Sequence, residues 1–291
     1  MALAQVEGRQ VEYELQGSGE SYADGESCAD GEPCADGELV LLLAASWWPL
    51  DTWKLSGFPQ LAGHYQVLAP NQRGSGASAG TPGPYSSESQ AGDAVALLDA
   101  LKLSQPAHVI GFAQGCGIAL KMALRHPDRV RSLVVAAPSA GTPASAPPPS
   151  LREREHIARQ GFRDFIRHHA LNDDFAFSTA NYALYPERAA ELADALWDHQ
   201  GSEEEFLKHA GARQGYNAID DARRVPQPAL VLCGEEDNVE RGISTPVKAA
   251  RALAEAFPNG RLHLIPGVRH MTFWEDPAAA WPPVLDFLAR C

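Results

Sequence analysis

The stretch HVIGFAQGCGIAL, residues 108–120, changes its hydrophobic period halfway along. His108 to Ile110 is a short apolar run of strand type. From Gln114 to Arg125 the apolar residues recur at helical spacing instead. The pentapeptide between them, Gly111-Phe112-Ala113-Gln114-Gly115, has glycine at both ends, so the chain must pass from strand to helix through one sharp turn. A strand feeding directly into a helix is half of a βαβ unit, and the neighbouring sequence extends that unit in both directions.

Toward the N-terminus, Ser89 to Leu103 carries Ala94, Leu98 and Leu101 on one helical face, and Tyr65 to Ala69 is a strand candidate. Between them a Gly/Ser/Pro-rich loop runs from Asn71 to Tyr85. Leu39 to Leu43 is a continuous apolar run of the kind a parallel sheet buries on both faces, and Val6 to Leu15 predicts one long strand. Toward the C-terminus, strands are predicted at Val130–Ala136, Ala229–Cys233 and Arg261–Ile265, with helices at Thr245–Phe257 and Ala278–Leu288. Regular alternation implies an α/β fold with a mostly parallel sheet covered on both faces. From Ser139 to Ser150 a Pro/Ala/Ser linker interrupts this order and leads into charge-studded helical segments, Leu151–Ala170 and Pro186–His199. Ligands of open α/β sheets bind at the carboxyl ends of the strands, where this helical insertion leaves the sheet, so a lid is expected there.

Composition narrows the function. The 24 Lys plus Arg against 37 Asp plus Glu give a net charge of −13, without the basic stripe that nucleic acid requires. No run approaches the ~18 apolar residues of a membrane span. The N-terminal MALAQVEGRQ has no basic and apolar leader pattern, which predicts an unexported, cytoplasmic protein. Its five cysteines (Cys28, Cys34, Cys116, Cys233 and Cys291) are odd in number and scattered, as expected of reduced thiols. The segment YADGESCADGEPCADGE repeats Ala-Asp-Gly-Glu from Ala23, Ala29 and Ala35 and supplies six of the negative charges. It lacks the ligand ladder and closing Glu of a calcium loop and is expected to be solvated.

In order, the segments LVLLL, PNQRGSGAS, HVIGFAQGCGIAL, ALVLCGEED and LIPGVRHMTF resemble the α/β-hydrolase superfamily, and within it are similar to the enol-lactone hydrolases and related small-substrate hydrolases. The resemblance implies an eight-stranded, mostly parallel sheet with a helical cap. Residues 1–138 and 226–291 would form the core, 20–38 an acidic insertion and 139–225 the cap. It also implies a small-molecule substrate and no cofactor. Neither a dinucleotide-type glycine motif after the first strand nor a metal-ligand cluster is present.

The family's central motif is a G-x-S-x-G nucleophile elbow, and here Ala113 stands at the serine position. A methyl group cannot attack a carbonyl. By resemblance Asp237 is the triad acid and His270 the base, following position 113 in the family's chain order. The backbone N–H groups of Ser46 and Gln114 would form the oxyanion hole, with Ala44 and Ala45 in place of a frequent His-Gly. Trp47 and Trp48 are expected at the pocket mouth, either stacking on a flat substrate or packing cap against core. Arg73, in a D-x-R-G-x-G-x-S-like loop with Asn71 at the Asp position, would organise that loop. Cys116 is expected to be buried and inert, and Arg167, His168 and His169 to form a solvated helical face.

Ala113 allows two explanations. A serine hydrolase with an introduced alanine would act on esters, lactones or enol-lactones. With a native alanine, an acyl-enzyme is excluded, and the His270–Asp237 pair would serve as a general base in a cofactor-independent dioxygenase, lyase, cyclase or isomerase. A ligand-binding module without turnover would keep the pocket and need no base.

Overall fold

The computed structural model describes residues 1–17, 37–45, 47–142, 144–146, 148–171, 176–198, 202–238 and 244–291. Ser46 and the acidic repeat up to Asp36 lie outside the described residues; the last residue of the repeat, Glu38, is exposed and accepts from Arg131 at 3.1 Å.

The strands are β1 (Ala2–Val6), β2 (Arg9–Gln16), β3 (Leu39–Leu43), β4 (Gln66–Pro70), β5 (Ala107–Phe112), β6 (Val130–Ala136), β7 (Gly141–Thr142), β8 (Tyr216–Asn217), β9 (Ala229–Gly234) and β10 (Gly260–Ile265). Eight of them form one sheet in the order β1-β2-β4-β3-β5-β6-β9-β10. The pairs β1–β2 and β2–β4 are antiparallel, and every other neighbour pair is parallel. This is the eight-stranded, mostly parallel α/β sheet expected from the motif order.

The single strand expected from Val6 to Leu15 is instead a hairpin. Glu7 and Gly8 both have positive φ, 49° and 76°, which is the backbone of a tight two-residue turn whose twist suits flanking antiparallel strands. The remaining predicted strands agree with the structure to within one or two residues at each end.

Each central strand is buried on both faces. Leu39, Leu41 and Leu43 of β3 join one apolar cluster with α3 (Ser87–Ala100), α4 (Gly115–Arg125), α10 (Ala218–Ala222) and α11 (Pro246–Ala256). Val40 and Leu42 join the other, with α1 (Asp51–Lys54), α2 (Gly57–Leu61), α12 (Thr272–Glu275) and α13 (Pro277–Leu288). Alternation along a pleated strand sends successive side chains to opposite layers, so a run with no polar residue is what two apolar layers require.

Residues 149–211 contain helices α5 (Pro149–Gln160), α6 (Phe162–Leu171), α7 (Thr179–Leu184), α8 (Pro186–Asp198) and α9 (Glu203–Gly211). The helix predicted from Leu151 to Ala170 is two helices, because Gly161 takes φ 85°, ψ 153° between them. The β7–β8 ribbon pairs Gly141 with Asn217 and Thr142 with Tyr216, which brings the entry and exit of this segment together. Its apolar side chains, among them Ile157, Phe165, Ile166, Leu192 and Phe206, belong to the same cluster as α1, α2, α12 and α13. No helix among the described residues is long and apolar enough to cross a membrane.

Candidate active site

Strand β5 is buried along its whole length and ends in the elbow. Ala113 has φ 51°, a left-handed conformation that costs an L-residue about 1–2 kcal/mol. Its N–H donates to the Ala136 carbonyl at 2.9 Å, which ties the elbow to β6. Gly111 and Gly115 are required by close approach. A Cβ on Gly111 would sit 2.5 Å from the Gly115 carbonyl oxygen, and one on Gly115 would sit 2.1 Å from that of Leu43. Gln114 is the N-cap of α4, so its N–H is among the helix-end donors that have no intrahelical acceptor. Both Ala113 and Gln114 are half-buried.

Asp237 lies just past β9 and His270 just past β10. Gly234 lets the ends of these strands approach, since a Cβ there would meet the Val268 and Arg269 carbonyl oxygens, each at 2.2 Å. The N–H groups of Glu235 and Glu236 donate to the Ile265 and Val268 carbonyls, at 2.9 and 3.0 Å. Asp237 is thereby placed so that its Oδ2 accepts a 2.6 Å hydrogen bond from His270 Nδ1. Asp237 is 1% and His270 4% exposed. With Nδ1–H donating to the carboxylate, the neutral ring carries its basic lone pair on Nε2. The imidazole packs on Phe112, the residue preceding Ala113, with ring centroids 5.4 Å apart. The elbow, the carboxylate and the imidazole are therefore brought to the carboxyl ends of β5, β9 and β10.

The two tryptophans meet edge-on, with ring centroids 6.2 Å apart, but differ in burial. Trp48 is buried among Phe112 and Trp274, at 5.4 and 5.2 Å, and packs within the layer that carries the elbow. Trp47 is half-buried at φ 57° and meets Phe206 of α9 edge-on at 5.1 Å. Ser46, the other expected oxyanion donor, lies outside the described residues, and so do the side chains of Arg167, His168 and His169.

Arg73 is committed to Asp93 through Nε and Nη2, and donates to the Pro82 carbonyl through Nη1 at 3.0 Å. Asn71 accepts from the Leu50 N–H and donates to Glu12, each at 2.6 Å, so the loop after β4 is held from both sides. The Cys116 thiol donates to the Gly111 and Ala136 carbonyls at 3.3 Å, and burial pushes its pKa well up, away from thiolate chemistry.

Two side-chain groups around the site were not anticipated. Tyr85 and Glu205 hydrogen-bond between the loop before α3 and helix α9, and burial pushes the Tyr85 hydroxyl up out of its ordinary range. Glu275, fully buried in α12, accepts hydrogen bonds from three nitrogens. Burial raises its pKa, against the lowering effect of those donors. A Glu in the run Met-Thr-Phe-Trp-Glu carries no spacing signal beyond its closeness to His270 and its apolar neighbours. Among the described residues, no group of three or more His, Cys, Asp or Glu is arranged to hold a metal ion.

Comparison with known proteins places this geometry in a family. The family model described as the alpha/beta hydrolase fold matches residues 44–277. The 2-hydroxymuconate semialdehyde hydrolase of Pseudomonas sp. (strain CF600) is 32% identical over 247 residues, which is 82% of this chain and 81% of that protein. Among solved structures, the enol-lactonase of Burkholderia xenovorans LB400 superposes with a TM-score of 0.78 at 21% identity, covering 99% of this chain and 100% of the other. A serine-to-alanine variant of the meta-cleavage product hydrolase of Pseudomonas fluorescens IP01, complexed with acetates, does so with a TM-score of 0.72 at 21% identity, covering 100% and 98%. Likeness at that identity speaks for the fold. The family model and the Pseudomonas relative go further, and this chain belongs to the α/β-hydrolase fold family.

Proposed function

We propose that this protein is an enzyme acting on a small, largely apolar carbonyl compound, with His270 as its general base and Asp237 as the group that orients and charges that base. The 2.6 Å Asp237–His270 hydrogen bond, beside an elbow still held in the left-handed region, carries this reading. A binding module has no need of an imidazole whose Nδ1 is bound to a buried carboxylate. The 2-hydroxymuconate semialdehyde hydrolase relative supports a small conjugated carbonyl compound as the substrate class, and an ester, lactone or enol-lactone is the form in which a serine elbow would take it.

With a serine at position 113, the hydroxyl would lose its proton to His270 Nε2 and attack the carbonyl, while the N–H groups of Gln114 and Ser46 receive the oxyanion. With Ala113 that acyl-enzyme cannot form. The same parts then serve a second reaction, in which His270 removes an acidic C–H or O–H proton and the two N–H groups hold the enolate. Ala113 itself favours this second reading for the chain as it stands.

Assays of Ala113→Ser and His270→Ala against esters, enol-lactones and conjugated enols, with oxygen uptake followed in parallel, separate the classes. If hydrolysis is the reaction this elbow serves, Ala113→Ser raises ester or lactone turnover by several orders of magnitude, because hydroxyl and base act as a unit. If Ala113 is the working residue, Ala113→Ser changes little and His270→Ala abolishes the parent's reaction. Turnover that survives His270→Ala would overturn the assignment of His270 as the base.

A further inference from the structure

The catalytic-loop histidine is tied to the helical segment through one buried carboxylate. Glu275 Oε1 accepts from the Ser178 N–H at 2.7 Å and from Asn181 Nδ2 at 2.9 Å, both on the helical segment. Its Oε2 accepts from the N–H of Arg269, the residue before His270, at 2.7 Å. Three further bonds run between the same two segments. The Met271 N–H donates to the Ala176 carbonyl at 3.0 Å, Asn181 Nδ2 to the Gly267 carbonyl at 3.2 Å, and Arg188 Nη1 to the Glu275 carbonyl at 2.9 Å. His270 is thus bracketed on both sides, at 269 and 271, by bonds that end on the helical segment or on the carboxylate joined to it.

The chemistry of the group matters as much as its place. A carboxylate is acceptor-only and has two equivalent oxygens, so it can receive N–H donors from two segments at once. A carboxamide of the same shape has one oxygen and one NH2, and must turn a donor toward one of the two arms. A buried N–H left facing another donor is costly, so that arm opens. Only a carboxylate satisfies both.

We propose that Glu275 is a positioning residue that makes the placement of the His270 imidazole depend on the seating of the helical segment. The loop is held only while the segment is seated: when the segment around Ser178 and Asn181 shifts away, the loop carrying His270 loses the anchor at Arg269 and Met271, and its hydrogen bond to Asp237 loosens. This rests on the reading of His270 as the working base, but it concerns the geometry of the ring and is tested without turnover.

The test compares Glu275→Gln, Asn181→Ala and, as a control, Leu184→Ala, an exposed change on the same short helix. Two properties of His270 are followed in the intact chain: the downfield proton resonance of Nδ1–H, assigned by its loss in His270→Ala, and the rate at which diethyl pyrocarbonate modifies the ring, read by mass spectrometry. Melting temperature is recorded for each variant. Glu275→Gln and Asn181→Ala are expected to shift or broaden the Nδ1–H resonance and to raise the modification rate several-fold, while Leu184→Ala leaves both at the parent values. Asn181 is half-buried, so Asn181→Ala decides the question even where Glu275→Gln fails to fold. A lower melting temperature in Asn181→Ala with an unchanged resonance and modification rate would mean that Glu275 is structural only, and would overturn the proposal. An inactive reaction panel bears on the proposed function and leaves this result untouched.

Discussion

At position 113 a left-handed backbone is held without the side chain that usually justifies it. Ala113 at φ 51° loses about 1–2 kcal/mol relative to a residue in the right-handed region, and glycine avoids that loss but gives back about 0.4–1 kcal/mol through the entropy of the unfolded chain. Ala113→Gly is therefore expected to leave the melting temperature unchanged or slightly raised. Ala119→Gly, inside α4, should lower stability by about 1 kcal/mol. The opposite change two residues along should be severe: Gly115→Ala drives a Cβ to within 2.1 Å of a backbone oxygen and has no flexible neighbour to move. Thermal melts of the three variants check the set, and a Gly115→Ala protein as stable as the parent would show that the elbow can open. These residues were legible beforehand because glycines at 111 and 115 between a strand and a helix leave one geometry. The different burial of Trp47 and Trp48 was not, since adjacent identical residues carry no sign of which one turns inward.

Elements were legible where their period was long and clean, and lost where one backbone angle decided the outcome. The Val6–Leu15 strand was misread because Glu7-Gly8 is not among the dipeptides that commonly mark a hairpin turn, and the positive φ at both positions reveals one. The 151–170 helix was misread for the same kind of reason: apolar spacing persists through Gly161, whose φ 85°, ψ 153° is open essentially to glycine alone. Nothing lies within 4 Å of a Cβ built on Gly161, so the effect of a substitution there is a matter of backbone strain and not of crowding. Gly161→Ala should therefore cost about 1–3 kcal/mol and straighten the break toward a continuous helix, seen as lower melting temperature with increased helical circular dichroism. Unchanged values of both would show that the junction tolerates a side chain. Helices α7 and α9 were missed because each is short, and a few residues hold too few turns for a period to emerge. Both carry polar contacts toward the site, Asn181 with Glu275 and Glu205 with Tyr85, and α9 adds Phe206 to the apolar layer.

For the molecule as a whole, pH dependence is set by the few groups whose surroundings differ between folded and unfolded chain. Burial, with the Arg131 charge adding to it, pushes His108 down to about 4; burial likewise pushes His209 down to about 4, against a hydrogen bond to the Arg73 carbonyl. Unfolded, each titrates near ~6.5. A depressed folded value means the unfolded chain takes up the proton first, so this stabilisation is whole above pH ~6.5 and declines as pH falls toward 4. The decline is roughly 1.4 kcal/mol per pH unit for each histidine. Glu275 acts in the opposite sense, because its raised value makes the folded chain the better proton acceptor as pH falls. Above pH ~5 most of the 37 Asp and Glu remain ionised in both states, and their mutual repulsion at a net charge of −13 changes little. The depressed values of His108 and His209 then act between pH ~6.5 and ~5. Melting temperature should fall across that interval, and His108→Gln and His209→Gln should each start lower at neutral pH but fall less steeply, since each removes one of the two titrating groups. Melting curves at half-unit pH steps give the slopes directly. Parallel slopes in all three proteins would show that neither imidazole is held neutral by its burial.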